Sequence, residues 1–216
     1  MVDELELFRE HLRDRGFKEP TVTTKYKLIR TLRKRSSNLW DSDEVTQVVK
    51  DANLGNRRKN NAFYAYRDWC RWKGFDYEFD KLREEASPLP YIPSEKEIDQ
   101  LIATCNPCYA SYLQTMKETA FRPTEVLNLK VKDIDFERGI ITLNKPLKWS
   151  NPRQKKISDK LLVMIRRTAG SKNSDERVWQ YTYNSMHRTF YMKRRQLSEK
   201  LENPNFIKIS FKTFRH

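Results

Sequence analysis

The chain has 216 residues, of which 38% are hydrophobic, so it can form one large domain or two modest ones with apolar cores. Lys and Arg number 43 against 29 Asp and Glu, and this net charge of +14 predicts a polyanionic partner such as DNA, RNA or anionic lipid. A membrane span of roughly 20 apolar residues, an N-terminal targeting peptide and a disulfide framework are all missing from the sequence, which predicts a cytoplasmic protein.

Four helices are predicted in the first 86 residues, because apolar side chains recur there every three or four positions. Gly74 is predicted to end the fourth helix. The apolar positions are Leu5, Phe8 and Leu12 in the first helix; Tyr26, Ile29 and Leu32 in a second from Thr21 to Arg35; Val45, Val48 and Val49 in a third from Asp43 to Ala52; and Phe63, Tyr66, Trp69 and Trp72 in a fourth from Arg57 to Lys73. The pattern is typical of a small helical bundle.

A proline-rich connector is predicted after this bundle. Pro88, Pro90 and Pro93 fall within six residues, and each proline biases its own backbone and the preceding residue away from helix. Ser94 and Glu97 then have the spacing of a capping box, which predicts that a new helix begins there. We therefore expect a first domain over residues 1–86, a linker over 87–93 and a second domain over 94–216. A loop inside one domain is the alternative.

The second domain is predicted to be mostly helical, so the whole chain is expected to be mainly α. Strand-like runs on either side of the Pro146 and Pro152 segment predict a β-hairpin. The predicted elements are helices over Glu95 to Thr104, Cys108 to Thr119 and Pro123 to Leu129, the hairpin over Ile140 to Ile157, and helices over Asp159 to Thr168 and Tyr183 to Leu201. Cys105 and Cys108 form a single CxxC, for which ordinary cysteines at a helix end are favoured over zinc or redox use.

The most informative motif is KETAFRPTEVLNLKVKDID, residues 117–135. Arg122 stands at a predicted helix entry, and a glutamate, an apolar stripe and the sequence D-I-D follow it. The motif resembles the first catalytic-arginine box of the tyrosine recombinases, the family of phage integrases and Xer-type enzymes. That box reads roughly T-G-x-R-x-x-E-(apolar)-x-x-L-x-x-x-D. Here Ala120 and Phe121 replace a pair that commonly contains glycine.

The segment ITLNKPLKWSNPRQKKIS also resembles the family, and archaeal plasmid and virus integrases most of all. Those proteins carry a catalytic lysine in a hairpin of pattern P-x-K-G-S-x-P-R. The alignment implies that Lys148 is this lysine, with Trp149 in place of the usual glycine. Lys145 is the alternative, because the length of the turn is not defined by the sequence.

The terminal FKTFRH resembles the second arginine box of the family, H-x-x-R-H. Arg215 aligns with the second catalytic arginine, His216 with the residue after it, and Lys212 with the first histidine. In the family a further His or Trp and the tyrosine nucleophile follow, whereas all ten tyrosines here precede Lys212. The resemblance implies a catalytic domain that is incomplete at its C-terminus. We therefore expect this chain to bind DNA without cleaving it alone.

The chemistry of strand cleavage explains these residue types. Negative charge accumulates on the non-bridging oxygens of an attacked phosphodiester, and the two guanidiniums of Arg122 and Arg215 can hold them through paired donors. The hairpin lysine can protonate the departing 5′ oxygen as a general acid. Lys212 can donate to the phosphate but cannot readily accept a proton. No metal or other cofactor is expected, since the sequence shows no carboxylate cluster suited to Mg²⁺.

Double-stranded DNA carrying an attachment site is the expected partner. The resemblance implies that residues 1–86 form the core-binding domain of a site-specific recombinase, which self-associates on DNA as a dimer or tetramer and works at the nucleoid. The basic residues expected to contact phosphates are Lys25, Arg30, Arg33 and Lys34 on the second helix and Arg57, Arg58 and Lys59 at the start of the fourth. Two alternatives remain: a recombinase-derived DNA-binding regulator without catalysis, and an RNA-binding protein, which would leave both arginine boxes unexplained.

Overall fold

The computed structural model describes residues 3–86, 88–148 and 150–215, and of Arg215 it describes the backbone alone. Three positions named above, Ser87 in the predicted linker, Trp149 in the hairpin and His216 at the end, lie outside the described residues. The chain divides into two compact units, one ending at Pro88 and the other beginning at Leu89. Each unit has its own apolar core.

The first unit contains the four predicted helices. Most of the predicted apolar positions are buried in its core, whereas Tyr26, Val48 and Trp72 are half-buried at its edge. The second helix begins two residues earlier than predicted, because Pro20 is tolerated in the first turn of a helix. The helices are α1 Glu4–Asp14, α2 Glu19–Arg35, α3 Ser42–Asp51 and α4 Asn56–Lys73, and α4 ends at Gly74 with the left-handed φ of 87° that favours glycine.

The second unit is mostly helical, as predicted. Its first helix starts at the capping box in which Ser94 and Glu97 bind each other's backbone N–H groups. The sequence reading missed one four-residue helix, which is too short for a periodic pattern. The helices are α5 Glu95–Ala103, α6 Pro107–Thr119, α7 Pro123–Leu127, α8 Asp159–Ala169, α9 Tyr183–Lys200 and α10 Asn205–Lys208, and a 3₁₀ turn, Thr213–Arg215, follows.

Helix α6 lies at the centre of the second unit. It is buried almost all round, including the polar Ser111 and Thr115. Ser111 Oγ accepts a hydrogen bond of 3.0 Å from the indole Nε1 of the fully buried Trp179. Because buried polar groups need such partners, this contact fixes the loop between α8 and α9 against α6.

A small antiparallel sheet completes the second unit. Its order is β1 Ile134–Asp135, β2 Ile140–Leu143 and β3 Arg153–Lys156, with Leu143 opposite Arg153. The hairpin of β2 and β3 was predicted, whereas β1 was not, because two residues cannot show an alternating pattern. No helix among the described residues has the length and apolar character needed to cross a membrane.

Candidate functional site

The backbone around Arg122 follows from its neighbours in sequence. Helix α6 ends at Thr119, and the next residue, Ala120, has a left-handed φ of 55°. Arg122 is extended, with φ −68° and ψ 149°, because a residue before proline is disfavoured in the helical region. Pro123 then occupies the first position of α7. A glycine would adopt the left-handed backbone of Ala120 without strain.

Glu125 forms the buried centre of the site. Its side chain is 0% exposed, and each carboxylate oxygen accepts two hydrogen bonds. Oε1 accepts from Arg122 Nη1 and from the Leu147 backbone N–H, both at 2.9 Å. Oε2 accepts from the Arg122 backbone N–H and from Arg153 Nη2, both at 2.8 Å. One carboxylate thus joins the start of α7 to the hairpin loop at Leu147 and to β3 at Arg153.

The charge state of Glu125 follows from these bonds. Burial alone would raise the pKa of the carboxyl group, because it disfavours the charged form. The backbone N–H groups of Arg122 and Leu147 and the two guanidiniums act in the other direction and leave the pKa below its ordinary value. Glu125 is therefore an anion at neutral pH.

Arg122 is held by the hairpin as well as by Glu125. Its Nη1 donates to the Leu147 carbonyl at 3.0 Å and to Ser150 Oγ at 2.8 Å. The side chain is 23% exposed, and Nε and Nη2 form no hydrogen bond with any described residue. A guanidinium fixed through one nitrogen keeps its other donors for an external anion, and a phosphate matches their fork geometry.

Both candidate hairpin lysines are exposed. Lys148 directly follows Leu147, and its own φ of 57° is left-handed. Because Leu147 and Ser150 both bind Arg122, the loop carrying Lys148 is anchored at the arginine. Lys145 instead lines a groove of about 520 Å³ together with Lys130 and Arg177. Trp149, the residue between these anchors, lies outside the described part of the chain.

Arg153 and Glu125 are site residues to which the sequence reading assigned no role. Arg153 Nη2 binds Glu125, and its guanidinium lies 4.7 Å from the centre of the buried Phe121 ring. It therefore contacts residues on both sides of Arg122. The spacing of Arg122 and Glu125 at a helix start was a usable signal for the glutamate. Arg153 matches the last residue of the hairpin pattern P-x-K-G-S-x-P-R, but the sequence does not show its partners, because they lie 28 and 32 positions earlier.

The terminal segment is fixed by its aromatic residues. The ring centre of Phe211 lies 4.3 Å from that of Phe190 in α9. The same ring meets the Tyr112 ring of α6 edge-on, with 6.1 Å between the ring centres. The Tyr112 hydroxyl donates to the Pro123 carbonyl at 3.2 Å. Tyr112 therefore contacts both the start of α7, beside Arg122, and the segment that precedes Lys212.

Lys212 is exposed between two buried residues, Phe211 and Thr213. Thr213 caps the terminal turn, since its Oγ1 donates to the Ser210 carbonyl at 2.7 Å. Arg215 ends this turn, and its side chain is outside the described structure, as is His216. The structure therefore describes the backbone of Lys212 to Arg215 but not the guanidinium of Arg215.

The basic residues predicted on the first unit differ in their surroundings. Lys25 is only 15% exposed and pairs with Asp68, which is 11% exposed, so its ammonium is directed into the fold. Arg33 pairs with Asp3 at 2.8 Å, and Lys59 Nζ donates to the Lys50 carbonyl at 2.5 Å. The remaining predicted cations are exposed on α2 and at the start of α4: Arg30, Lys34, Arg57 and Arg58.

A groove of about 770 Å³ runs between α2 and the start of α4. Arg57 and Arg58 line it from α4, and Lys27, which the sequence reading did not single out, lines it from α2. Arg57 is 71% exposed and pairs with Glu84 at 2.9 Å, which lowers the pKa of that carboxyl group. This groove brings together basic residues that are 30 positions apart in sequence.

The cysteines and acids show no metal centre. Cys105 and Cys108 are free thiols at half-buried positions. Among the residues that the structure describes, no group of three or more His, Cys, Asp or Glu side chains could hold a metal ion.

Comparison with known families gives one match over most of the second unit. Residues 93–216 match the sequence profile of the Phage integrase family. A curated relative, the tyrosine recombinase XerA of Thermococcus onnurineus (strain NA1), is 30% identical over 91 residues. That alignment covers 40% of this chain and 32% of the recombinase, so it spans about a third of the relative's length.

Solved structures of similar fold come from the integrase of transposon Tn1549. Its complex with transposon right end DNA matches with a TM-score of 0.68 and 16% identity, covering 98% of this chain and 84% of the integrase. A complex with a circular intermediate DNA matches with a TM-score of 0.71 and the same identity and coverage. At this identity the likeness establishes the fold, mainly helical with a small sheet.

Proposed function

Because the chain belongs to the phage integrase family, we propose that it binds the duplex DNA of an attachment site and holds one backbone phosphate for strand exchange. The observation that carries this proposal is the Arg122 network. A buried carboxylate orients the guanidinium, and the hairpin with Lys148 is tied to the same group. Such preorganised donors stabilise charge that develops on a phosphate.

Each residue has a distinct role in this proposal. Arg122 and Arg215 hold the non-bridging oxygens, and Lys212 donates a further hydrogen bond to the phosphate. Lys148 is the general acid for the departing 5′ oxygen. It is preferred to Lys145 because its neighbour Leu147 binds Arg122 directly.

None of the ten tyrosines in this sequence is proposed as the nucleophile. The family's tyrosine follows the second arginine box, and no tyrosine follows Arg215 in this sequence. Among the ten tyrosines that precede it, Tyr66, Tyr109 and Tyr112 are buried with their hydroxyls bonded to backbone carbonyls. Burial raises the pKa of each of these three phenols. We therefore propose that the chain binds DNA and does not cleave it through these three tyrosines.

The first unit is proposed to be the core-binding domain. Its groove between α2 and α4 would follow the DNA backbone, with Arg57, Arg58 and Lys27 as phosphate contacts. The two solved structures of the Tn1549 transposon integrase are complexes with DNA, which supports the same kind of partner here. Self-association on DNA, as a dimer or tetramer in the cytoplasm, completes the proposal.

Single-phosphate substitution tests the proposal without requiring cleavage. A preferred duplex is first selected from a random pool by the purified chain, and each phosphate is then replaced in turn by an uncharged methylphosphonate. One replacement should weaken binding of the unmodified chain by about tenfold, because a hydrogen bond to a charged group contributes about 1.5 kcal/mol. Arg122→Gln should abolish that difference at the same phosphate.

Arg138→Gln is the matched control, since Arg138 is 80% exposed in the turn between β1 and β2. It should keep the difference seen with the unmodified chain. If no phosphate distinguishes Arg122→Gln from this control, the proposed role of Arg122 is wrong. Failure of the chain to enrich or bind any duplex, with RNA bound instead, would reject DNA as the partner. A nicked form of the selected duplex should give no covalent adduct, and an adduct would show that an upstream tyrosine is the nucleophile.

A further inference from the structure

A second basic groove lies in the second unit, beside the Arg122 site. Its volume is about 520 Å³, and it is bounded by the segment after α7 and by the end of β2. Four cations line it: Lys130, Lys132, Lys145 and Arg177. None of them except Lys145 was singled out by the sequence, because they come from three separate segments.

Backbone pairing holds the cations in place. Lys130 is directly opposite Arg177 in an antiparallel bridge. On either side of it, the Val131 N–H donates to the Glu176 carbonyl and the Val178 N–H to the Leu129 carbonyl, both at 3.0 Å. Two segments 47 positions apart are thereby fixed side by side, so the two charged side chains are neighbours before any ligand binds.

The acids around the groove do not cancel its charge. Asp175 accepts from both Lys130 Nζ at 3.2 Å and Lys132 Nζ at 2.6 Å, so one carboxylate serves two ammonium groups. Asp133 is a second anion, and its Oδ2 accepts from the Lys130 backbone N–H at 2.8 Å. Glu125 also borders the groove, but Arg122 and Arg153 already match its charge. The groove therefore keeps a net positive charge.

We propose that this groove binds a second backbone phosphate of the DNA, next to the phosphate held by Arg122. This inference rests on the proposed function, and it adds a contact outside both arginine boxes. Glu125 and Leu147 border the groove. Both also accept a hydrogen bond from Arg122 Nη1, so the two anion sites share these residues as a common wall. Each DNA strand carries a phosphate about every 3.4 Å of helix axis, which suits two neighbouring anion sites.

The asparagines at the groove fit the same ligand. Asn128 and Asn144 are exposed and border it from the end of α7 and the end of β2. Their amide groups can donate to phosphate oxygens in addition to the ammonium and guanidinium groups. A solvated basic surface, the ordinary alternative, would not require Lys130 and Arg177, from segments 47 positions apart, to be aligned by backbone pairing.

The test compares two double variants on the duplex selected by the chain. Lys130→Gln with Arg177→Gln removes two cations of the groove and leaves Lys145, a candidate general acid, in place. Lys160→Gln with Arg167→Gln is the matched control, because it removes one lysine and one arginine that are exposed on α8. The slope of log affinity against log salt should become shallower by about 0.9 in the groove variant, since one phosphate contact is lost. The control slope should stay unchanged.

Each result decides the inference separately from the proposed function. The groove is not a phosphate site if the unmodified chain binds DNA and the groove variant has the same slope of log affinity against log salt. The same conclusion holds if the groove variant and the control variant both show an equally shallower slope. If the unmodified chain does not bind duplex DNA at all, the proposed function fails first. Should the groove variant not fold, Lys132→Gln alone, which leaves Lys130 paired with Asp175, provides the same comparison. A small anion would be the ligand if inorganic phosphate or a mononucleotide raised the melting temperature of the unmodified chain but not of the groove variant, while both chains had the same salt slope of DNA binding. That result would overturn the inference.

Discussion

Glu125→Gln is the most direct test of the site's architecture. The substitution keeps the size of the side chain but replaces one carboxylate oxygen by an NH₂ donor. In one orientation that donor meets Arg122 Nη1 and the Leu147 N–H; in the other it meets the Arg122 N–H and Arg153 Nη2. Two hydrogen bonds to a charged acceptor are lost in either case.

The size of the effect follows from that count. A hydrogen bond to a charged group contributes about 1.5 kcal/mol, so losing two lowers the free energy of unfolding by about 3 kcal/mol. Breaking a buried ion pair costs about 3–5 kcal/mol. The lower end applies here, because Arg122 and Arg153 remain 23% and 27% exposed and water reaches them.

Urea denaturation followed by the indole N–H signal of Trp179 measures this change. That indole is buried in the second unit and donates to Ser111, so its signal reports on this unit alone. Glu199→Gln is the control, since Glu199 is 67% exposed and its pair with Arg195 contributes less than about 0.5 kcal/mol. A Glu125→Gln midpoint within error of this control would refute the network.

The pH dependence provides an independent check on the same residue. The pKa of Glu125 in the folded chain lies below its ordinary value of 4.5. Its contribution to stability is therefore complete above pH 4.5 and is lost as the pH falls through the lower, folded-state pKa. Glu125→Gln should remove this part of the acid dependence, while Glu199→Gln should leave it intact. Parallel acid curves for all three proteins would contradict the assigned charge state.

Two further predictions concern single positions. Ala120→Gly should stabilise the second unit by about 1 kcal/mol, because a left-handed backbone costs a non-glycine residue about 1–2 kcal/mol. Ala110→Gly, inside α6 where the backbone is helical, should destabilise the unit by about as much, and urea midpoints measure both changes. Lys25→Met should destabilise the first unit by about 3 kcal/mol without flattening the salt dependence of DNA binding, because it leaves a mostly buried carboxylate unpaired. Arg58→Gln should flatten the salt dependence of DNA binding without destabilising the first unit. A flattened salt dependence for Lys25→Met would show that Lys25 does contact DNA.

Local sequence signals account for most of the fold. The positive φ of Gly74, the reciprocal bonds of Ser94 and Glu97, and the extended backbone of Arg122 before Pro123 each depend on residues within three positions. Helix ends governed by such contacts can be predicted from the chain alone. The periodic apolar faces of the long helices are local in the same sense, whereas the two-residue strand β1 was too short to show a pattern.

The site itself depends on contacts between distant residues. Arg153 lies 28 positions from Glu125, and Lys25 lies 43 positions from Asp68. The sequence predicted that Lys25 would contact DNA, and nothing in its own helix indicates that it pairs with Asp68. Burial decides such pairings, because a charge removed from water is stable only beside its partner. Which arginine or lysine is bound within the fold, and which stays exposed for a phosphate, is therefore a property of the tertiary structure.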